Sequence, residues 1–370
     1  MPSPTPGTKE NAVKYNRLKV KFRLAGIAFT ALYLLFFQAL LSRWLEESAL
    51  GFSGQFYIAL ILYLAGFGVV YYIVDFPLSL AGGFLLERRF SLSSISFANW
   101  LKDNLKASVI SSIFFAFFIL ALYFLLRSAP RAWWYLITVF YFFATIFMAR
   151  IGPLILIPLF FKYSPVEEGL KKDIIELSKK CDIKLLNVYK INFSSKTKKL
   201  NAALTGLGKS RRVILADNLI REFSNDEIKG VLAHEFAHHK YMHIWKLLLF
   251  GFLATGISFY FLFLASPNIA RVLNANAIYD IRLLPAYLFV LFLISLVIMP
   301  IQNWFSRILE READAFALKI TADKDTFISL MQKLGDYNLA DPNPPKLVKI
   351  IFYSHPPISE RIEFAKAFKT

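Results

Sequence analysis

Six stretches of the chain, 24–41, 56–74, 107–126, 132–149, 247–265 and 283–301, run for 18–20 residues without a charged side chain. A helix needs about 20 such residues to cross the roughly 30 Å of hydrocarbon in a bilayer, so each stretch predicts a membrane span. Two shorter apolar runs, 76–86 and 151–161, reach only about 16 Å as helix and are expected to continue neighbouring spans or to lie at the interface. The expected count is six, with seven possible. The first span begins too deep in the chain, behind too long a basic lead, for a simple cleavable signal peptide, and is expected to be retained.

The remaining polar sequence falls into two segments, 162–246 and 302–370, which are expected to pack together beside the membrane. In the first, 166–181 has helical spacing, whereas 185–191, 200–207 and 212–216 have the pattern of strands, the last two flanking a Gly208-Lys209-Ser210 turn. Ser224-Asn225-Asp226-Glu227 is a capping box that opens a helix expected to carry 228–245 towards the fifth span. Pro342, Pro344 and Pro345 are expected to break the last segment into two helical parts.

Composition supports the membrane reading, because 56% hydrophobic and 16% aromatic residues in 370 exceed what a purely soluble globule of this length buries. The 43 Lys and Arg against 26 Asp and Glu give a net charge of +17. Lys9, Lys14, Arg17, Lys19, Lys21 and Arg23 precede the first span, only Arg43 follows it beside Glu46 and Glu47, and Arg88, Arg89, Lys102 and Lys106 fill the next loop. That alternation, with the lysine-rich segments after the fourth and sixth spans, puts the N-terminus and both polar segments in the cytoplasm. The basic excess then reflects topology and lipid contact, and no nucleic-acid partner is expected. Cys181 stands alone, which excludes an intrachain disulfide and a cysteine-rich metal site.

The capped helix contains His234-Glu235-Phe236-Ala237-His238, an HExxH. Residues four apart share a helix face, so two imidazoles can converge on one zinc at about 2.0–2.1 Å, with Glu235 placed to act as general base. Composition alone yields about 0.003 such motifs in a chain like this, so chance is a weak competitor. His239 and His243 lie about 140° and 180° round a continuous helix from His234 and are expected at the membrane interface or behind the ligands. After the last span, Asn303, Arg307, Glu310 and Asp314 recur at i, i+4, i+7 and i+11 as one polar stripe. On spacing alone, Glu310 as third ligand with Asp314 behind a histidine, and a solvated salt-bridged helix, stand equal.

These residues resemble the integral-membrane zinc metalloproteases that include the eukaryotic CaaX prenyl proteases and, more distantly, the shorter bacterial HtpX-like heat-shock proteases. The resemblance rests on the HExxH with Lys240 and His243, on Ser306-Arg307 with Glu310 and Ala313-Asp314, on Phe160-Phe161-Lys162-Tyr163-Ser164-Pro165 and on Lys199-Leu200-Asn201-Ala202. Residues 84–89 and Trp100-Leu101-Lys102-Asp103 favour the prenyl-protease branch, which typically has seven spans. The implied fold is mostly α: a polytopic α-helical membrane protein with a cytoplasmic zincin-like α+β catalytic domain. Residues 1–161 form the membrane region with four spans, and 162–370 form the metalloprotease domain interrupted by spans 247–265 and 283–301.

The resemblance also implies one Zn²⁺ per chain on His234, His238 and Glu310, Glu235 as catalytic base, and Asp314 and Asn303 behind the ligands. It implies His355 and Arg361 as oxyanion stabilisers, and Asn201 and Ala202 on an edge strand along which a substrate lies extended. The expected partners are the lipid bilayer and a peptide or protein substrate, either a prenylated CaaX tail or, for an HtpX-like quality-control enzyme, unprenylated membrane proteins. A non-catalytic membrane scaffold or zinc-binding regulator is the alternative of another class.

Overall fold

The computed structural model describes residues 6–206 and 211–369. Helix α1 (Pro6–Phe36) passes through a π-helical turn at Phe37–Leu41 into α2 (Ser42–Phe52), and α3 (Phe56–Ser79) passes through another at Leu80–Leu85 into α4 (Leu86–Arg89). Helices α5 (Phe97–Ser128) and α6 (Trp133–Phe160) complete the N-terminal membrane region. The next elements are β1 (Tyr163–Pro165), α7 (Glu168–Lys180), β2 (Asn187–Ile191), β3 (Ala202–Thr205), β4 (Arg212–Ala216), α8 (Asp217–Glu222) and α9 (Asn225–Lys240). Helices α10 (His243–Val272) and α11 (Leu284–Thr321) return to the membrane, and α12 (Lys324–Tyr337), α13 (Lys346–Phe352) and α14 (Ile358–Ala367) finish the chain.

Among the described residues six helices are long and apolar enough to cross a bilayer, Lys9–Phe52, Phe56–Arg89, Phe97–Ser128, Trp133–Phe160, His243–Val272 and Ile281–Thr321. The runs 76–86 and 151–161 are continuations of two of these, so no seventh span arises. Their outer faces carry large apolar side chains that water would penalise, among them Leu40 at 71%, Val297 at 67% and Phe143 at 63% exposure. Lipid is the medium in which such a surface is stable. Inside the bundle Tyr63, Tyr123, Trp133, Leu262 and Tyr287 form a dry core. The Tyr287 hydroxyl donates to the Ile278 carbonyl at 2.7 Å, so the polar tip is satisfied where the ring is buried.

A second core lies outside the bundle, between the sheet and helices α7, α9, α11 and α12. The sheet order is β1-β2-β4-β3, with β2 and β4 parallel and the outer pairs antiparallel. Strand β4 is central, and Val213, Ile214, Leu215 and Ala216 are all buried, as an apolar run without alternation requires. That leaves β3 at the edge, shorter than the expected 200–207; the Gly208-Lys209-Ser210 turn lies outside the described residues. Gly230 lets α12 approach α9 closely, since a Cβ there would sit 3.0 Å from Leu330 Cδ2.

Two expectations are corrected. Helix α9 does not run on to residue 245: it ends at Lys240, Met242 takes a left-handed φ of 57°, and α10 starts afresh at His243. The C-terminal segment is broken twice, by the 342–345 prolines and again by Pro356-Pro357, so that α13 and α14 flank His355.

The capping box forms in full: Ser224 Oγ accepts from the Glu227 N–H at 3.2 Å, and Glu227 Oε2 accepts from the Ser224 N–H at 2.8 Å. Glu227 also accepts from Ser329 Oγ at 2.8 Å and Lys333 Nζ at 2.7 Å, tying the start of α9 to α12. Ser224→Ala is therefore expected to destabilise by about 1 kcal/mol, read as a lowered denaturation midpoint. Glu227→Ala should cost more, because it strips the Ser224 N–H, Ser329 Oγ and Lys333 Nζ of their acceptor; equal shifts would show that only the local cap matters.

Candidate metal centre

The HExxH helix α9 packs along α11, and the seam is lined with small buried residues, Ala233 and Ala237 from one side and Ala313 and Ala317 from the other. Close approach of the two backbones puts His234, His238 and Glu310 in one cluster, with one donor atom from each within 4.8 Å of the others. His234 Nε2 lies 3.2 Å from His238 Nε2 and 3.2 Å from Glu310 Oε2, and His238 Nε2 lies 3.5 Å from Glu310 Oε1. Ligands held about 2.0–2.1 Å from one ion in tetrahedral geometry stand about 3.3–3.4 Å apart, and the two ring nitrogens, each with one of the two Glu310 oxygens, stand close to that spacing.

One further observation fits a cation. Glu310 Oε2 is buried without a hydrogen-bond partner, a costly condition that coordination removes. Burial disfavours the charged form of His234, but the neighbouring Asp314 and Glu310 carboxylates outweigh it and raise its pKa to about 9. Burial, reinforced by the charge on His234, pushes His238 down to about 3. Glu235 is half-buried on the same helix, and that burial raises its carboxyl above the ordinary range, towards the pKa a proton shuttle needs.

Behind the donors, His234 Nδ1 donates to Asp314 Oδ1 at 2.9 Å, which leaves Nε2 free for the cluster. Asp314 is in turn gripped by Arg361, Nη2 to Oδ1 at 2.5 Å and Nε to Oδ2 at 2.8 Å. Both groups are buried, Arg361 9% and Asp314 1% exposed. The Arg361 guanidinium, expected to face the oxyanion, is engaged with Asp314 in a two-point pair. Asn303, expected behind the ligands, donates from Nδ2 to the Ile351 carbonyl at 2.5 Å and so holds α13. Arg307 bonds the Lys349 and Tyr353 carbonyls at 3.1 and 2.5 Å, and the two residues together hold the segment that leads to His355. His355 is mostly exposed, with Nε2 3.3 Å from Glu310 Oε1, beside the cluster and open to a ligand.

His239 and His243, expected at the interface or behind the ligands, separate. His239 Nε2 lies 3.2 Å from the Leu204 carbonyl, fastening α9 to the edge strand. His243 is fully buried, with Nδ1 2.9 Å from His238 Nδ1 and Nε2 3.0 Å from Glu312 Oε2. The sequence reading missed this contact because it assumed an unbroken helix; no turn signal precedes Met242. On β3, the Asn201 carbonyl accepts the Ala216 N–H at 3.0 Å. Alternation then turns the peptide groups of Ala202 and Leu204 to the open edge, and His239 already engages Leu204. Ala202 is the residue of β3 whose backbone faces outward without a partner.

The family described as "Peptidase family M48" matches residues 166–369, more than half of the chain, and that described as "CAAX prenyl protease N-terminal, five membrane helices" matches 5–162. In that second part the present structure has four candidate spans. The chain is similar to "CAAX prenyl protease 1" of Saccharomyces cerevisiae, 29% identical over 78% of this chain and 68% of that one. It is also similar, at 29% identity over 77% of this chain and 68% of the relative, to "Uncharacterized metalloprotease YhfN" of Bacillus subtilis. The crystal structure of S. mikatae Ste24p superposes with a TM-score of 0.86 at 26% identity, covering 98% of this chain and 89% of that one.

The Asp314–Arg361 pair generates a stability test. Removing the guanidinium in Arg361→Leu leaves a buried carboxylate uncompensated, expected to cost about 3–5 kcal/mol by equilibrium denaturation in chelator. Asp314→Asn combined with Arg361→Leu should cost less than the sum of the single changes. Additive costs would mean that the two groups are not coupled.

Proposed function

Because the chain belongs to peptidase family M48, we propose that it binds one zinc ion on His234, His238 and Glu310 and that Glu235 is the base of its peptide-bond hydrolysis. It is a multi-pass membrane metalloendopeptidase. The observation that carries the assignment is the convergence of His234, His238 and Glu310 from two helices, one donor atom from each within 4.8 Å of the others, with a Glu310 oxygen that has no hydrogen-bond partner. Zinc bound there supplies Lewis acidity to water and to the scissile carbonyl.

The protein groups supply the rest. Glu235 accepts a proton from the attacking water on its carboxylate and delivers it to the leaving amine, a role its raised pKa suits. His355 sits at the open side of Glu310, where a ring N–H can donate to the oxygen that gains charge. Asp314, held by Arg361, fixes the tautomer and orientation of His234. An extended substrate pairs its backbone with Ala202 on the open edge of β3, beside Asn201, which orients the peptide without reading its side chains.

Orientation follows from the basic residues flanking the spans: the N-terminus and the catalytic segments face the cytoplasm, and the membrane region ends near residue 161. For substrate, we favour a prenylated C-terminal CaaX peptide, supported by the match of residues 5–162 and by relatives named for that activity.

Glu235→Gln should retain about one zinc per chain and wild-type thermal stability while cleavage falls about 10²–10⁴-fold. If this variant cleaves nothing yet fully rescues a deletion strain, the scaffold reading replaces the enzymatic one. Substrate class is tested with one CaaX peptide in farnesylated and unmodified forms and with an unstructured membrane-protein fragment. Chelator-sensitive release of the last three residues, strongly favouring the farnesylated peptide, is expected. Equal cleavage of both peptides, or cleavage of the fragment alone, would assign the enzyme to quality control.

A further inference from the structure

Met242 places the break between α9 and α10 one residue before His243, and its left-handed backbone, φ 57°, turns that ring back towards the helix just left. The result is a chain of contacts: Glu312 Oε2 lies 3.0 Å from His243 Nε2, and His243 Nδ1 lies 2.9 Å from His238 Nδ1. Lys246 Nζ, one turn into α10, stands 3.4 Å from the same Glu312 oxygen. His243 is fully buried, whereas the Glu312 side chain is 41% exposed, so the chain leads from the solvent boundary to a ring of the candidate centre.

Proton placement along this chain has one solution for neutral rings. An ionised carboxylate only accepts, so His243 must carry its hydrogen on Nε2. A neutral imidazole has a single N–H, which makes His243 Nδ1 an acceptor. The facing His238 Nδ1 must therefore be the donor, and the lone pair of His238 is confined to Nε2, the atom that lies 3.2 Å from His234 Nε2 and 3.5 Å from Glu310 Oε1. We propose that His243 and Glu312 form a positioning relay that locks His238 in its metal-binding tautomer and orientation. The proposal rests on the reading of His238 as a ligand.

The two histidines of the motif are thereby held differently. His234 is backed by Asp314 and Arg361, both buried and charge-paired. His238 is backed by a second imidazole and a partly exposed carboxylate at the head of a membrane-spanning helix. Carboxylate–histidine support of this kind orients a ligand and raises its basicity, and losing it typically weakens metal binding about 10–100-fold. Since His243 is the first residue of α10, the alignment of His238 depends on where that span begins.

The test measures the zinc dissociation constant by competition with a chromophoric chelator, and the visible absorption of the cobalt-substituted protein. His243→Phe keeps an aromatic ring but removes the acceptor, and should weaken zinc about 10–100-fold and alter the cobalt spectrum. His243→Asn puts an amide oxygen near the position of Nδ1 and should recover most of the affinity. Glu312→Ala should weaken zinc in the wild-type background and have no effect in His243→Asn, where the relay is already cut. Unchanged affinity and spectrum in both His243→Phe and Glu312→Ala would overturn the relay. Should His243→Phe fail to fold, Glu312→Ala with and without His243→Asn carries the test, since Glu312 lies at the surface. His238→Ala is the control for the underlying reading: if it keeps its zinc, the ligand assignment falls, and the relay with it.

Discussion

The hydrogen bond from His234 to Asp314 joins a helix that begins at residue 225 to one that ends at residue 321, and much of the architecture serves that crossing. Two helices carrying large side chains would stand too far apart for a 2.9 Å contact and for the convergence of His234, His238 and Glu310. The small Ala233, Ala237, Ala313 and Ala317, all buried in the same core, remove that obstacle. Behind the cluster, His234, Asp314 and Arg361 lie buried, where unpaired charge is expensive and paired charge is rigid. The same burial that makes the site costly to assemble raises the Glu235 carboxyl towards a working pKa.

Arg361 extends this crossing to the end of the chain. Helix α14 reaches Asp314 only because Pro356-Pro357 end the preceding segment and start a new helix, and because Asn303 and Arg307 pin the backbone from 349 to 353 against α11. The first helix takes part as well: Arg23 donates to the Phe352 carbonyl at 3.1 Å and Asn16 to the Leu339 carbonyl at 2.6 Å. His355 is thus placed by residues on α1, α11 and α13, which ties the membrane region to the chemistry. A lipid-embedded bundle provides a stiff base for such an arrangement, since its helices cannot unravel without exposing backbone polar groups to hydrocarbon.

On the opposite side of α9, His239 engages the Leu204 carbonyl and so sets the distance between the motif helix and the edge strand. Of the two outward-facing peptide groups on β3, one is committed to this contact and the other, Ala202, stays open. Adjacent histidines in the sequence therefore do unrelated work. His238 faces the donors, His239 faces the sheet, and His243 returns to His238 across a break in the backbone.

The six spans, the capped HExxH helix and the strands around β4 were legible in the sequence because each depends on a local pattern: a run of about 20 apolar residues, a four-residue ligand spacing, a capping box, an unalternated apolar strand. Glu310 and Asp314 were legible as a stripe on one face of α11, for the same reason of helical period. Tertiary structure alone decided what each residue of that stripe touches. Asn303 and Arg307 turned to the α13 segment and Asp314 to His234 and Arg361, while Glu312, off the stripe on the far side of α11 from Glu310, met His243. The decisive break at Met242 left no mark in the sequence, since a left-handed backbone is uncommon for a methionine and periodicity can only extrapolate a helix that continues.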